Sequence, residues 1–439
     1  MREDDRPIPD HLAAARRMLE LIDAAPSPFH ACREAADRLE AVGFAELREV
    51  DAWPTAPGSF YVRRGGSLVA WSVGAHHRPE TGFRIIGAHT DSPNLRVKPH
   101  ADTGRVGYRQ VAVEVYGGPL LNSWLDRDLG LSGRVVVRGP QGPEERLLLV
   151  DRPLLRIPQL AIHLDREVST KGLVLNPQQH LSPIWGLGDP SPGGFTRFVA
   201  AELDVAADAI VGWDLMTHDL TPGCLLGADE ELVSAPRLDN LCSSWAGVEA
   251  MATALAGEAE LAQIPVLVLF DHEEIGSSSD RGADSTLLPA LTERIVLGLG
   301  GGREELLRAL AASVCCSADN AHATHPSYAD RHEPGHLIEL NKGPVLKVNA
   351  NVRYATDAMS AAAFVAACDQ AGVPLQRYAH RSDLPCGSTI GPITATRLGI
   401  STVDVGAPQL AMHSARELCG SADPALYTAA MAAFLAPGS

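Results

Sequence analysis

The segment Ile264-Pro-Val-Leu-Val-Leu-Phe270 is a near-continuous apolar run, and Asp271-His-Glu-Glu274 follows it directly. A run of this kind is typical of a central strand that is buried on both faces of a sheet. In open α/β sheets, ligands bind beyond the carboxyl ends of such strands. The sequence therefore predicts an α/β fold with a polar site just after Phe270.

Helix and strand patterns extend on both sides of this run. Strands are predicted over Val69-Ala-Trp-Ser-Val73 and Phe83-Arg-Ile-Ile86, and His89 follows the second of them. Amphipathic patterns predict a helix from Ala31 to Val42, ending at Gly43, and a further helix from Ser243 to Ala256.

The pattern changes between residues 94 and 236. Short β-rich runs, including Val111-Ala-Val-Glu-Val115, Val135-Val-Val137 and Leu147-Leu-Leu-Val150, alternate there with Gly/Pro turns. A chain of 439 residues is too long for one simple core. We therefore predict an α/β domain, formed by residues 1–93 and 237–439, that is split by a β-rich insertion, residues 94–236.

Composition excludes some partners. The formal net charge of −17 argues against nonspecific binding to nucleic acid or to an anionic membrane. No apolar stretch approaches the roughly 20 residues that span a bilayer. The N-terminus, Met1-Arg-Glu-Asp-Asp-Arg6, lacks the apolar core of a secretory signal, and the eight cysteines include no C-x-x-C pair. We therefore expect a cytoplasmic protein with reduced thiols.

Five short segments carry acidic residues or histidines in a pattern that indicates a metal site. They offer two histidines and three carboxylates as ligands, with one glutamate left over beside a ligand. This is the set of groups that holds two zinc ions and supplies a carboxylate base for the attacking water. The segments are Gly87-Ala-His89-Thr-Asp91, Arg237-Leu-Asp239-Asn240, Asp271-His-Glu273-Glu274, Ser317-Ala-Asp319-Asn320 and Met412-His413-Ser414.

Each segment by itself has an ordinary structural explanation. Asp239-Asn240 resembles a helix N-cap region, Glu273-Glu274 could be a solvated turn, and His413 could be a core histidine. The five together favour the metal site, because strand ends of one sheet bring residues that are distant in sequence into one crevice.

Two competing motifs are weaker. His332-Glu-Pro-Gly-His336 has the H-E-x-x-H zinc pattern, but that pattern works only on a helix, and the central Pro-Gly makes a helix very unfavourable. We predict a loop there. Gly298-Leu-Gly-Gly-Gly302 resembles a dinucleotide-binding turn, but Arg303 stands where the last glycine belongs.

His322 and His325 lie just beyond Asp319 and leave two interpretations open. They could belong to a polar loop, or one of them could donate a hydrogen bond to a developing oxyanion.

Read together, these segments resemble the aspartyl aminopeptidase family of dizinc metalloaminopeptidases, over nearly the whole chain. The matching stretches include Ala88–Lys98, Asn122–Leu129, Arg156–His163, Leu175–Gln178, Ser317–Pro326 and Gly343–Asn349. The resemblance implies a mixed-sheet α/β catalytic domain with an inserted β-rich dimerisation domain.

The resemblance also implies a role for each position of the site. Two Zn²⁺ ions per subunit would be bound, with Co²⁺ or Mn²⁺ as possible substitutes. Glu273 would be the general base toward a water held by both zinc ions, and Asp91 would orient a ligand histidine. The ligands would be His89 and Asp319 on one zinc, Glu274 and His413 on the other, and Asp239 bridging both.

Assembly and specificity are implied in the same way. Family members are dodecamers built from dimers, and residues 94–236 would serve that assembly. His325, and with less support His322, would reach into a neighbouring subunit's active site. Lys347 matches a lysine that faces an acidic substrate side chain, which predicts removal of N-terminal Asp or Glu from peptides.

Two other functions fit the same residues. A related dizinc hydrolase of N-acyl amino acids would need a carboxylate-binding pocket instead of an amine-binding one. A catalytically idle peptide-binding assembly is the other, and Glu273 argues against it, because a binding shell needs no spare base.

Overall fold

The computed structural model describes residues 10–257 and 260–438, so the charged N-terminal segment 1–6 lies outside the described residues. The chain divides into two compact units. The first contains the described residues up to Asp91, Gly223–Met412 and those from Glu417 onward, and the second contains Ser92–Pro222 and His413–Arg416. Within the described ranges, no helix is long and apolar enough to cross a membrane.

Helices occur in both units. The α-helices are α1 (Asp10–Ala24), α2 (Pro28–Ala41), α3 (Val168–Lys171), α4 (Pro177–His180), α5 (Gly194–Glu202), α6 (Leu238–Ala256), α7 (Leu287–Gly298), α8 (Arg303–Ala311), α9 (Ala358–Ala371), α10 (Ile390–Leu398) and α11 (Asp423–Leu435). Short 3₁₀ turns span Leu121–Trp124, Ala207–Ala209, Glu273–Ile275 and Ala329–Arg331.

Strands form three sheets. The strands of the first half are β1 (Ala45–Glu46), β2 (Gly58–Arg64), β3 (Ser67–Val73), β4 (Phe83–His89), β5 (Asn94–Arg105), β6 (Tyr108–Tyr116), β7 (Leu129–Gly139), β8 (Gly142–Leu155), β9 (Ile184–Leu187) and β10 (Ile210–Asp219). Those of the second half are β11 (Cys224–Leu226), β12 (Leu232–Ala235), β13 (Ile264–Phe270), β14 (Val314–Ala318), β15 (Ala321–His322), β16 (Val345–Val348), β17 (Gln376–Ala379), β18 (Ser401–Gly406), β19 (Pro408–Leu410) and β20 (Glu417–Gly420).

The helix predicted from Ala31 to Val42 forms as α2, but it begins three residues earlier, at Pro28. Ser27 is the N-cap of α2, and its hydroxyl accepts a hydrogen bond from the amide of His30. Pro28 occupies the first turn, where its missing N–H costs nothing. Gly43, just past the helix, has φ +94°, a conformation that glycine adopts without strain. The prediction of a helix ending at Gly43 is confirmed.

The main sheet of the first unit has nine strands in the order β1-β2-β3-β13-β4-β14-β18-β16-β17. Strand β13 has the bounds predicted for the apolar run, and all seven of its residues are buried. It pairs in parallel with β4, which pairs in parallel with β14, while β3 and β16 run antiparallel to their neighbours β13 and β18. The predicted mixed-sheet α/β fold is confirmed.

Helices cover both faces of this sheet. Leu267 of β13 belongs to a core shared with α1, α2, α6, α9 and α11. Val268, the next residue, points to the opposite face and belongs to a core shared with α7, α8 and α10. Because successive side chains of a strand alternate between faces, a strand between two helix layers must be apolar throughout. This explains why the run 264–270 has no polar alternation.

A second sheet of the first unit has five strands, in the order β11-β12-β20-β19-β15. Its strands β11 and β12 come from residues that the sequence analysis assigned to the insertion. The second unit therefore ends earlier than predicted, at Pro222, and gains the short segment His413–Arg416.

The second unit is built on an antiparallel six-stranded sheet, in the order β8-β7-β10-β5-β6-β9. The three β-rich runs quoted from this region lie in β6, β7 and β8, as predicted. Alternate residues such as Leu129, Leu131 and Val135 of β7 pack into a separate apolar core. Their spacing of two residues is that of a sheet with only one face on the core.

Candidate metal centre

Three adjacent parallel strands end at the same edge of the main sheet of the first unit. His89 is the last residue of β4 and pairs in register with Phe270, the last residue of β13. Asp319 directly follows β14, and Glu273 begins the 3₁₀ turn just after β13. Since the carboxyl ends of parallel strands meet at one edge, these side chains converge.

His89 is the centre of this convergence. Its side chain is only 1% exposed, and its Nε2 faces three carboxylates. The distances from Nε2 are 3.3 Å to Oδ1 of Asp239, 3.7 Å to Oδ1 of Asp319 and 3.9 Å to Oε2 of Glu273. One buried imidazole nitrogen is thus surrounded by acceptor oxygens from three separate parts of the chain.

Asp91 contacts the opposite side of the imidazole and also the 3₁₀ turn Glu273–Ile275. Its Oδ1 lies 3.4 Å from Nδ1 of His89, and its carbonyl oxygen lies 3.0 Å from the same nitrogen. Its two carboxylate oxygens accept the amides of Glu273 and Glu274, each at 3.1 Å. With acceptors on both sides of Nδ1, the proton belongs there, and Nε2 is left to bind a cation.

Asp239 reaches the site from the first turn of α6. The helix is distorted there, with Asp239 at φ −81° and ψ 105°. The amide of Asp239 donates to Oε2 of Glu417 at 2.9 Å. Glu417 is a buried residue of β20 that the sequence analysis missed, because it is 178 positions away and belongs to no motif.

The electrostatics of the metal-free site reflect its excess of acid. Burial alone would lower the pKa of His89, but hydrogen bonds to Asp239, Asp319 and Asp91 raise that pKa well above its usual 6.5. Burial raises the pKa of Glu273 to about 8; the charge of His89 opposes this shift, and the nearby aspartates add to it. The shift of Glu273 thus reflects burial and the close approach of several carboxylates.

The donor set fits zinc. Ligand atoms of His89, Asp239 and Asp319 all lie within 4.8 Å of one another, and the same holds for His89, Glu273 and Glu274. Zinc binds imidazole nitrogen and carboxylate oxygen in such mixed sets. Divalent cations would also compensate the negative charge that otherwise makes this buried cluster costly.

His413 is part of the second unit and is described there. It has φ +67°, its Nδ1 lies 3.0 Å from the carbonyl oxygen of Gly118, and its own carbonyl accepts the amide of Leu120 at 2.8 Å. The contact with Gly118 assigns the proton to Nδ1 and leaves Nε2 as the metal-binding nitrogen. Its role as a ligand stays a prediction.

Lys347 lies behind Asp319. It is 2% exposed on β16, and its Nζ donates to the carbonyl oxygen of Asp319 at 2.7 Å and to that of Asn320 at 3.4 Å. The ammonium also lies 5.1 Å from the centroid of the Tyr354 ring. A buried lysine needs such partners, because the desolvated charge is otherwise very costly. These contacts fix the backbone that carries Asp319.

The two loop histidines have different surroundings. His322 ends β15 with an exposed side chain, 6.4 Å from the ring of Tyr378. His325 is half-buried; its Nδ1 accepts the amide of Ser327 at 3.1 Å, and its own amide donates to His332 at 3.1 Å. His332–His336 is not helical, as predicted, so it lacks the geometry of a zinc helix.

Comparison with known proteins gives the family. The model of the Aminopeptidase I zinc metalloprotease (M18) family matches residues 21–435. The chain is 57% identical over 425 residues to "Probable M18 family aminopeptidase 2" of Mycobacterium leprae, covering 96% of this chain and 98% of that relative. A protein of the same name from Streptomyces coelicolor is 55% identical over 421 residues, covering 96% and 97%.

Solved structures agree with the fold. A chain in the cryo-EM structure of the Ape4 and Nbr1 complex superposes with a TM-score of 0.92 at 37% identity, covering 97% of this chain and 86% of that one. A chain of the S. cerevisiae mApe1 dodecamer gives a TM-score of 0.84 at 28% identity, with 97% of both chains covered.

The chain therefore belongs to the M18 family of zinc metalloaminopeptidases. This confirms the family that the sequence segments indicated.

We expect Asp91→Asn to weaken zinc binding by roughly 10- to 100-fold, the usual effect of losing a partner of a ligating histidine. The asparagine oxygen could still accept one of the two backbone amides that now donate to Asp91, but its NH2 group would face the other, donor against donor. Chelator competition on purified protein measures the affinity. Asp280→Asn, at a carboxylate that is 70% exposed, is the control and should bind zinc like the wild type. Equal affinities in both variants would contradict this role of Asp91.

Proposed function

We propose that this M18 protein is a two-zinc aminopeptidase that removes acidic N-terminal residues from peptides. One observation carries the proposal: the buried imidazole of His89 lies within 4 Å of carboxylate oxygens of Asp239, Asp319 and Glu273. A site of this composition has little use outside metal chemistry, because buried carboxylates repel one another without cations.

The proposed ligand assignment follows from the family resemblance. In this assignment His89 and Asp319 would hold one zinc ion, Glu274 and His413 would hold the other, and Asp239 would be shared between them. The distances from Nε2 of His89, 3.3 Å to Asp239 and 3.7 Å to Asp319, support the first part. Of the three carboxylates that face Nε2 of His89, Glu273 is then the one not needed as a ligand.

Glu273 performs the proposed proton transfers. When bound, the zinc ions would polarise the scissile carbonyl and acidify the attacking water. Glu273 accepts the proton of that water and later delivers it to the leaving amine. Asp91 fixes the direction of the Glu273 side chain, since it accepts the backbone amides of Glu273 and Glu274.

We expect Glu273→Gln to keep its zinc and to lose most turnover, because the change removes a base and no proposed ligand. Loss of a general base typically costs about 10²- to 10⁴-fold in rate. Asp239→Ala should instead lose zinc, because its carboxylate is the proposed bridge. Elemental analysis and a peptide-hydrolysis assay separate the two effects. The reverse pattern of metal contents would show that these roles are assigned wrongly.

Lys347 is the proposed reader of an acidic substrate side chain. Two carbonyl groups accept hydrogen bonds from its ammonium. An ammonium carries three donors, so one further acceptor can be bound. A carboxylate of substrate Asp or Glu would supply that acceptor and would also pair with the buried charge.

Lys347→Met should lower kcat/KM for N-terminal Asp and Glu far more than for Ala or Leu. A lost charged hydrogen bond is worth about 1.5–3 kcal/mol, or roughly 10- to 150-fold. A panel of aminoacyl substrates measures the ratio. Lys342→Met, at an exposed lysine five positions earlier, is the matched control. Equal losses on acidic and neutral substrates would mean that Lys347 only supports the Asp319 backbone.

Assembly is proposed to complete each active site. A related chain forms the S. cerevisiae mApe1 dodecamer, and this chain covers 97% of that chain. We propose that this chain forms a homo-oligomer, a dodecamer built from dimers, in which the second unit serves assembly. His325, or else His322, would then steady the oxyanion in a neighbouring subunit.

Mixed oligomers test this sharing. His325→Ala and Glu273→Gln subunits should each be nearly inactive alone, and co-assembly should restore part of the activity. The reason is that one site of a mixed pair receives both intact groups. Activity is measured in oligomers whose mixed composition has been verified by mass. His322→Ala subunits in the same mixture identify which histidine acts, and a failure of both mixtures to recover would contradict a shared site.

A further inference from the structure

The turn between β2 and β3, residues 64–67, contacts two of the chain segments that form the metal centre of the first unit, the one that carries His89 and the one that carries Glu273. Ser67 and Gly66 carry these contacts, and Ser67 is fully buried. No part of the proposed chemistry uses this turn, and the sequence analysis assigned it no role. We call it the hairpin turn.

The first contact is to the segment that carries His89. Thr90 lies between His89 and Asp91, and its hydroxyl donates to the carbonyl oxygen of Gly66 at 2.7 Å. The amide of Thr90 donates to the carbonyl oxygen of Phe270 at 2.8 Å. The hairpin turn therefore fixes the chain between a proposed ligand and the carboxylate that orients it.

The second contact is to the loop that carries Glu273. The hydroxyl of Ser67 accepts the amide of Asp271 at 2.8 Å and donates to the carbonyl oxygen of Arg281 at 2.9 Å. Asp271 is fully buried, and its Oδ2 lies 3.1 Å from Nε of Arg281. One hydroxyl thus joins the start and the end of the loop 271–281 to the hairpin.

Close packing explains why small residues occupy this turn. A Cβ atom on Gly66 would lie 2.6 Å from Oδ2 of Asp271, and one on Gly65 would lie 2.8 Å from Nη1 of Arg281. Gly65 also has φ +60°, which glycine adopts at little cost. The ion pair of Asp271 and Arg281 is therefore packed directly on the two glycines.

The loop needs outside support because its backbone is strained. His272 and Ser277, on either side of Glu273, have φ +67° and +62°. A left-handed conformation is unfavourable for residues other than glycine. Such conformations persist only where neighbouring structure imposes them. Asp271 supplies part of this support, since its Oδ1 accepts the amide of His272 at 2.9 Å.

We infer that the hairpin turn is a positioning element for the reaction, and that Ser67 of the turn and Arg281 of the loop act as positioning residues. By holding Thr90 and the loop 271–281 together, they set the carboxylate of Glu273 relative to His89. The inference rests on the proposed function, because it takes Glu273 as the base.

The test compares Ser67→Ala with Ser59→Ala. Ser59 lies in the same hairpin, and its hydroxyl pairs with that of Ser72 at 2.9 Å, away from the loop. Ser67→Ala should lower kcat by roughly 10- to 100-fold at full zinc loading, with KM nearly unchanged, as losses of supporting partners around metal sites do. Ser59→Ala should keep the wild-type kcat.

Hydrogen exchange of the metal-free protein gives a readout that does not depend on activity. Peptides covering residues 271–282 should exchange faster in Ser67→Ala than in Ser59→Ala or the wild type. If Ser67→Ala does not fold, Arg281→Met, which removes the partner of Asp271, takes its place and should give the same result. Arg281→Lys keeps the charge and should recover part of kcat.

The outcomes separate the two claims. Faster loop exchange together with a loss of kcat supports the inference. Loop exchange and kcat equal to those of Ser59→Ala, in an active wild-type background, overturn it. A wild type that binds zinc but cleaves no peptide rejects the proposed function. Faster loop exchange in Ser67→Ala would, even then, show that the hairpin turn stabilises the loop 271–281.

Discussion

The repulsion between buried carboxylates is the constraint on which the structure of the site depends. Asp239, Asp319 and Glu273 surround one imidazole nitrogen, and Asp91 lies on its other side. Burial and mutual repulsion penalise such a group of anions, and they raise the pKa of Glu273 above its usual range. The chain belongs to a zinc metalloprotease family, and bound zinc ions would supply the positive charge that offsets these carboxylates.

The surrounding fold supports that costly arrangement. Parallel strands β4, β13 and β14 lie between two helix layers. Apolar packing on both faces holds their backbones in place, independently of the polar side chains at their ends. The polar groups at the strand ends form hydrogen bonds with the neighbouring backbone: Asp91 accepts the amides of Glu273 and Glu274, and Glu417 accepts the amide of Asp239. Rigid support of this kind keeps ligands in place with little reorganisation.

Much of the fold was readable from local pattern. The apolar run 264–270 predicted the strand β13 with the correct ends, because every residue of a strand buried on both faces is apolar. The helix that ends before Gly43 was readable from its amphipathic pattern and the terminal glycine. The end of the insertion was not readable: strands β11 and β12 look like the rest of the β-rich region, and only their pairing with β20 assigns them to the first unit.

The sequence by itself determined the fold class, the family and the residue types of the site, because apolar periodicity and short acidic motifs are local and survive without coordinates. It could not supply Glu417, the contacts of Ser67 with the loop 271–281, or the carbonyl partners of Lys347. Those depend on strand order and register, which bring together residues as much as 214 positions apart. Only the tertiary structure decides such contacts, since a hydrogen bond requires two groups within about 3 Å and sequence spacing does not encode that distance.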